Sequence, residues 1–222
     1  RILYQYYLKS KGAVKIGNKI SEKFVIKEGV KQGGIISPFL FNFFINDLLI
    51  ECINLDLGAR IENFNLSILA YCDDLVLISP IAEHLRKLLA KCDEFAGKWK
   101  LKFNPLKSII YKSGLEGSPN ENCTLAGGAF EIVNNFVYLG LPVGDLSFIE
   151  NFWESKFRSV ERAFFYLKSI GLHKEFMNPA CVGFIYKQYC QSMMGYGLEL
   201  VYLSLKLLEC LDVRQGILIK SA

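Results

Sequence analysis

Residues 68–79 read ILAYCDDLVLIS, and ten of these twelve residues carry no charge. In the middle stand two adjacent carboxylates, Asp73 and Asp74. The apolar runs on either side predict two strands joined at the aspartates, a central strand pair buried on one face with a site at its tip. Like charges side by side repel, so such a pair is costly unless a cation neutralises it. Carboxylate oxygens without histidine or cysteine partners point to a hard ion, Mg²⁺ or Mn²⁺. Such an ion, held by one or two carboxylates and by substrate phosphates, suits phosphoryl transfer. The plain alternative is a turn, which aspartate favours for its own hydrogen-bonding reasons. Turn aspartates on a surface hairpin have polar neighbours, and here the neighbours are apolar.

The rest of the chain narrows the choices. It has 222 residues, 51% hydrophobic and 22% charged, which is the composition of a folded protein. It begins with Arg1 inside a helical pattern and reads as a piece of something longer. No apolar run approaches the roughly 20 residues of a membrane span, and no secretory leader is visible, so a membrane partner is not expected. Seven scattered cysteines and two histidines, His84 and His173, offer neither a zinc pattern nor a disulfide framework. They read as reduced thiols of an intracellular protein, nuclear or cytoplasmic. A net charge of +4 permits a polyanionic partner without demanding one.

The opening RILYQYYLKS predicts the tail of a helix. Val14 and Ile16, a Gly17-Asn18 turn, then Phe24 and Ile26 predict a β-hairpin. After the glycine-bearing loop EGVKQGGIISP, Ser37 as N-cap and Pro38 at the first helical position open a helix. That helix is apolar almost all round and is expected to be deeply buried. Leu85, Leu88, Leu89, Cys92, Phe95 and Trp99 draw the stripe of an amphipathic helix. LKFNPLKSIIYKSG predicts a strand pair or a short loop-strand unit, residues 114–122 a linker, and AFEIVNNFVYLGLPVG two short strands. Trp153, Phe157, Val160, Phe164 and Leu167 step by four and three along a further helix, and two apolar helices close the chain.

A second segment completes the pattern. GVKQGGIISPFLFN occupies residues 29–42, with Gln32 placed 73 − 32 = 41 residues before Asp73. The two segments together resemble reverse transcriptases. YCDD is similar to the Y-x-D-D box of their palm, and GVKQGGIISPFLFN to the Q-G, S-P, L-F-N segment that precedes it. LKFNPLKS, with Asn104 and Lys107, resembles the palm segment that follows the box. NNFVYLGLPVGD resembles the F-x-Y-L-G of the non-LTR, LINE-type retrotransposon polymerases, and MMGYGLELV another segment of that group. Group II intron polymerases carry similar Q-G-G-I-I-S-P strings, but LFNFFINDLL and FVYLG favour the LINE-type branch.

The resemblance implies an α+β fold: a partial polymerase palm, an antiparallel sheet with packed helices, then a helical thumb-like region. Its divisions fall at residues 1–115 for the palm, 116–145 for a linker and primer-grip-like strands, and 146–222 for the thumb-like or connection region. It implies an RNA-directed DNA polymerase, a nucleotidyltransferase working by two metal ions. Its partners are an RNA template, a DNA primer and dNTPs, and its cofactor Mg²⁺ or Mn²⁺. By the same resemblance Asp73 is a metal ligand and Asp74 a less essential carboxylate beside it. Tyr71 sits by the metals near the primer terminus, and Gln32 and Gly33 line the pocket of the incoming nucleotide. Lys107 approaches the phosphates, and Tyr138, Leu139 and Gly140 grip the primer. Lys98, Lys100, Lys102, Lys107 and Lys112, alternating in a strand, would present some charges to a duplex backbone or simply to solvent.

The chain departs from the family pattern in one respect. Reverse transcriptases have a further aspartate on an earlier palm strand, in a segment resembling F-D-x-x-x-A-F-D, and that segment is not found here. Glu22 and Glu28 flank the first hairpin and Asp47 lies on the buried helix, so none replaces it. The expectation is a chain that does not polymerise alone. The alternatives are a catalytically dead remnant that retains nucleic-acid binding, and an unrelated α+β protein whose aspartate pair is only a turn.

Overall fold

A computed structural model describes residues 1–27, 29–113, 123–172 and 177–221. Glu28, His173 and the expected linker at 114–122 lie outside the described residues. Helix α1 (Ile2–Leu8) is followed by β1 (Lys11–Gly12), β2 (Lys15–Ile16), β3 (Lys19–Ile20), β4 (Phe24–Val25) and helix α2 (Ser37–Asn54). Then come β5 (Arg60–Ile61), β6 (Phe64–Asn65), β7 (Ile68–Tyr71), β8 (Asp74–Leu77) and helix α3 (Ala82–Trp99). A 3-10 turn (Pro105–Lys107) leads to β9 (Ile109–Tyr111), β10 (Thr124–Leu125), β11 (Gly128–Ala129), β12 (Glu131–Val133), β13 (Phe136–Tyr138) and β14 (Leu141–Val143). The long helix α4 (Leu146–Ser169) precedes α5 (Pro179–Tyr186), a π-helical turn (Lys187–Gln191), α6 (Ser192–Gly195) and α7 (Leu205–Ser221).

Helices and small ladders thus alternate in an α+β chain, but one continuous antiparallel sheet is not what forms. The described strands make seven separate two-stranded ladders, and one of them, β9 with β12, is parallel. The chain divides into two compact units. The first comprises the described residues of 1–105 and 123–129, the second those of 106–113 and 130–221.

In the first unit the expected hairpin is shorter than its pattern. Strands β2 and β3 close around Gly17-Asn18, with Lys15 opposite Ile20 and Ile16 opposite Lys19. Phe24 pairs instead with Gly12, on β1. The Phe24 ring lies 3.1 Å from where a Cβ of Gly12 would stand, so the bare glycine makes room for it.

Helix α2 corrects two expectations. Ser37 is not the N-cap: it is the first helical residue, Ile36 precedes it, and Pro38 stands second. Its hydroxyl turns back to donate to the Lys31 carbonyl (2.6 Å), stapling the glycine loop to the helix. Nor is the helix buried all round. Ser37, Ile45, Leu48 and Cys52 are buried, whereas Phe39 and Phe43 are 73% and 81% exposed and Asp47 faces solvent. The buried side packs on α3, where Phe44 meets Phe95 and Trp99 at ring distances of 5.5 and 5.3 Å. There the Cys52 and Cys92 thiols are hydrogen-bonded, and that bond together with burial pushes the Cys92 thiol far above its usual range. On α3 itself Leu88, Leu89, Cys92 and Phe95 are buried as the stripe predicts, while Trp99, the last helical residue, is 45% exposed.

In the second unit α4 buries Trp153, Phe157, Val160 and Phe164, the stripe read from the sequence, and Leu167 packs partly buried beside them. Val182, Tyr186, Leu211 and Leu218 from α5 and α7 complete this core. Arg214 of α7 fastens the same helix. Its guanidinium donates twice to Glu154 at 2.8 Å and twice to Glu161 at 3.0 and 3.4 Å, stacked 4.3 Å above the Phe157 ring. Three strands, β12 to β14, occupy the stretch where two were expected, because β12 pairs with β9. The five lysines do not alternate in a strand. Lys98 lies in the last turn of α3, Lys100 is its left-handed C-cap, Lys102 follows in an irregular segment, Lys107 closes the 3-10 turn and Lys112 follows β9.

Candidate functional site

The aspartates sit where β7 turns into β8. The register pairs Ile68 with Leu77, Leu69 with Val76, Ala70 with Leu75 and Tyr71 with Asp74, leaving Cys72 and Asp73 as a two-residue turn. Cross-strand partners share a face of the ladder, so the Tyr71 ring and the Asp74 carboxylate leave the backbone on the same side, with Asp73 at the apex. Cys72 has φ +53°, the left-handed region that the first central position of such turns requires. Glycine is the residue that meets this demand without strain, and a cysteine there carries a cost of about 1 kcal/mol.

The base and the tip of this hairpin differ. At the base Ser67 is fully buried, and Gly58 (φ +87°) comes so close that a Cβ would stand 2.5 Å from that of Ser67. The Ile78 amide donates to the Ser67 carbonyl, and the Ala59 amide to that of Ile78, both at 2.9 Å. Ile68 is buried against α2. At the tip Tyr71, Asp73 and Asp74 are all exposed. A strand pair buried along one whole face is therefore not observed: of the eight ladder residues only Ile68 is buried.

Gln32 and Gly33 form the centre of a tight turn closed by the Gly34 amide on the Lys31 carbonyl (3.0 Å). Gly33 has φ +76°, as the third residue of a type II turn must, and open space surrounds the position where its side chain would be. Both residues are exposed, in the same unit as the aspartates.

Lys107, exposed on its 3-10 turn, belongs to the second unit, as do Tyr138, Leu139 and Gly140. The latter three form the tip of the β13–β14 hairpin, with Tyr138 opposite Leu141. Leu139 (φ +48°) and Gly140 (φ +76°) are both left-handed, the geometry of a type I′ turn. The ends of this hairpin are tied by Asn135, which donates to the Asp145 carboxylate (3.0 Å) and accepts from its amide (2.8 Å). Asp145 in turn caps α4 through the Phe148 amide (2.7 Å). The Ser147 hydroxyl, the Phe148 amide and Asn135 together hold the Asp145 carboxyl below the usual aspartate range.

One contact escaped the sequence reading: the Tyr196 hydroxyl donates to the Leu139 carbonyl at 2.9 Å. The string GYG at 195–197 was its only trace.

For a divalent cation the donor chemistry at Tyr71–Asp74 is right and the donor number is small. Two exposed carboxylates offer hard oxygen ligands, and no cluster of three or more His, Cys, Asp or Glu suited to a metal occurs among the described residues. Such an ion would complete its coordination with water and substrate oxygens, as Mg²⁺ commonly does. Among the described residues no helix is long and apolar enough to cross a membrane.

Comparison with known proteins bears on the whole of this arrangement. Residues 2–143 match the family described as reverse transcriptase (RNA-dependent DNA polymerase). Over 105 residues, 47% of this chain, the sequence is 37% identical to the retrovirus-related Pol polyprotein from type-2 retrotransposable element R2DM of Drosophila melanogaster. Over 98 residues, 44% of the chain, it is 33% identical to the Pol polyprotein from type-1 retrotransposable element R2 of Popillia japonica. The matched stretches span 10% and 14% of those two proteins.

Proposed function

The chain belongs to the reverse transcriptase family, in the group of the non-LTR retrotransposons, and on that premise we propose that it contributes the catalytic hairpin of an RNA-directed DNA polymerase. The single observation that supports this best is the β7–β8 tip, where Tyr71, Asp73 and Asp74 stand exposed on a hairpin whose base is locked by Gly58 and Ser67. In this reading residues 1–115 belong to the palm, 116–145 hold the linker and the strands that meet the primer, and 146–222 form a thumb-like region.

Asp73 and Asp74 are the residues that would hold Mg²⁺ or Mn²⁺. When bound, the ion supplies electrostatic stabilisation of the charge that builds up on phosphate oxygens. The chain's own residues do the rest. Tyr71 packs beside the reacting primer end, and the Gln32–Gly33 turn offers bare backbone to the incoming nucleotide and its template base. Lys107 pairs with the triphosphate, and Tyr138–Gly140 hold the primer so that its 3′-hydroxyl is aimed at the α-phosphate of a dNTP. With two carboxylates gathered and no third among the described residues, the 222-residue chain does not extend a primer by itself.

The test is metal-dependent primer extension on an RNA template, by a polypeptide that also carries the upstream palm aspartate, beside the same polypeptide with Asp73→Ala. Extension that disappears with Asp73→Ala supports the reading. No extension by the folded parent polypeptide, with retained duplex binding, turns it into a remnant that binds nucleic acid without catalysis.

A further inference from the structure

The tip of the β13–β14 hairpin does not stand alone. Beside the 2.9 Å bond from the Tyr196 hydroxyl to the Leu139 carbonyl, the edge of the same ring lies 3.4 Å from where a Cβ of Gly140 would be. The next residue, Gly197, has φ +77°, and a Cβ there would fall 2.0 Å from a methyl of Leu141. Glycine at 197 thus lets Leu141 seat against the chain that carries Tyr196. Tyr196 is fixed from its other side. The Lys156 ammonium donates to its carbonyl at 2.7 Å and lies over two rings, Trp153 at 4.2 Å and Tyr196 at 5.2 Å. Trp153 is buried in α4. A continuous path therefore runs from the buried Trp153 through Lys156 and Tyr196 to the Leu139 carbonyl, all within one unit.

A two-residue turn with both residues left-handed needs no outside hydrogen bond to form. The bond from Tyr196 does something else: it fixes where the tip lies relative to α4. From this geometry we infer that Tyr196 is a positioning residue for the Tyr138–Gly140 turn, with Lys156 and Gly197 holding Tyr196 in place. The inference rests on the proposal that this turn meets the primer strand. It gives that turn a defined setting, so that primer affinity depends on a tyrosine 57 residues further along the chain.

The test uses the intact 222-residue chain and two readouts. The first is hydrogen–deuterium exchange at the amides of residues 138–141. The second is the dissociation constant for an RNA–DNA hybrid with a recessed DNA 3′ end, followed by fluorescence anisotropy. Tyr196→Phe removes one oxygen and keeps the ring. It is expected to speed exchange at the turn about fivefold and to weaken hybrid binding about fivefold, the worth of one ordinary hydrogen bond. Lys156→Met keeps the stem on Trp153 but removes the donor, and is expected to shift both readouts in the same direction.

Unchanged exchange in Tyr196→Phe overturns the clamp. Faster exchange with unchanged hybrid affinity overturns the positioning role and leaves Tyr196 a structural contact. Absence of hybrid binding by the unaltered chain overturns the primer-strand reading itself, and the positioning role with it, while exchange still shows whether the clamp exists.

Discussion

Two hairpins, each closed by a two-residue turn, end in opposite conditions. The turn at Cys72–Asp73 presents Asp73 to solvent, and among the described residues the hairpin is held at the far end of its ladder, at Gly58, Ser67 and Ile68. The turn at Leu139–Gly140 is anchored at both ends, by Asn135 and Asp145 below and by Tyr196 above. On the proposed reading the first carries carboxylates that meet ions, water and substrate, and their exposure leaves room for these. The second carries backbone and apolar groups, whose use depends on staying in one place. In the proposed roles, exposure suits the chemistry of the first turn and clamping suits the grip of the second.

The comparison breaks first at Asp73. In a polymerising polypeptide Asp73→Ala is expected to lower primer extension at least about a hundredfold, as loss of a metal ligand worth several kcal/mol would. Because the side chain is exposed, the thermal midpoint should stay within the range of ordinary surface substitutions, about 0.5 kcal/mol. A large drop in midpoint would mean that the open tip is structural after all.

The next effect belongs to the clamped hairpin. Gly197→Ala puts a side chain on a left-handed backbone and forces Leu141 to rotate away, so a loss of about 1–2 kcal/mol in denaturant unfolding is expected. A neutral result would show that the clamp tolerates slack. At the open turn the sign reverses. Cys72→Gly relieves the left-handed strain at the price of a more flexible unfolded chain, for a net gain of at most about 1 kcal/mol, read as a higher denaturant midpoint.

The smallest effect is in acid. The Asp145 carboxyl is held below its ordinary value of 3.8 by the Ser147 hydroxyl, then by the Phe148 amide and Asn135. Its folded form therefore binds a proton less readily than its unfolded form. The stabilisation is fully present above pH 3.8 and fades as pH falls through the lower folded value. Asp145→Asn should flatten the fall in thermal midpoint below that pH. An unchanged acid slope would remove Asp145 from the tie between the hairpin and α4.

Much of this was legible because it is local. The apolar runs on either side of the aspartates place the turn to within one residue, since it falls at Cys72–Asp73 and Asp74 already opens β8, and the four-three stepping from Trp153 picks out the buried side of α4; each depends only on residues a few positions apart. Helix α2 misled for the same reason. Its composition speaks of burial, yet what decides is whether a neighbour covers each side, and Phe39 and Phe43 stay mostly exposed. Ser37 shows the limit at one residue. Its type fits an N-cap, but a carbonyl six positions back competes for its hydroxyl. Pairings across long gaps, β9 with β12 or Tyr196 with Leu139, leave no periodic trace at all.

The placement of β10 and β11 has a consequence during synthesis. These strands belong to the first unit although residues 106–113, of the second, come before them. Leu125 is buried there, and the Ala126 amide donates to Asp93 of α3 at 2.9 Å. At the pace of a ribosome, about 5–20 residues per second, the 129 − 105 = 24 residues from the end of the first part to the end of the second take roughly one to five seconds to emerge. For that interval the nascent α3 can pack on α2, which precedes it, but lacks the cover that β10 supplies, so its native surroundings are completed only after part of the second unit has been made.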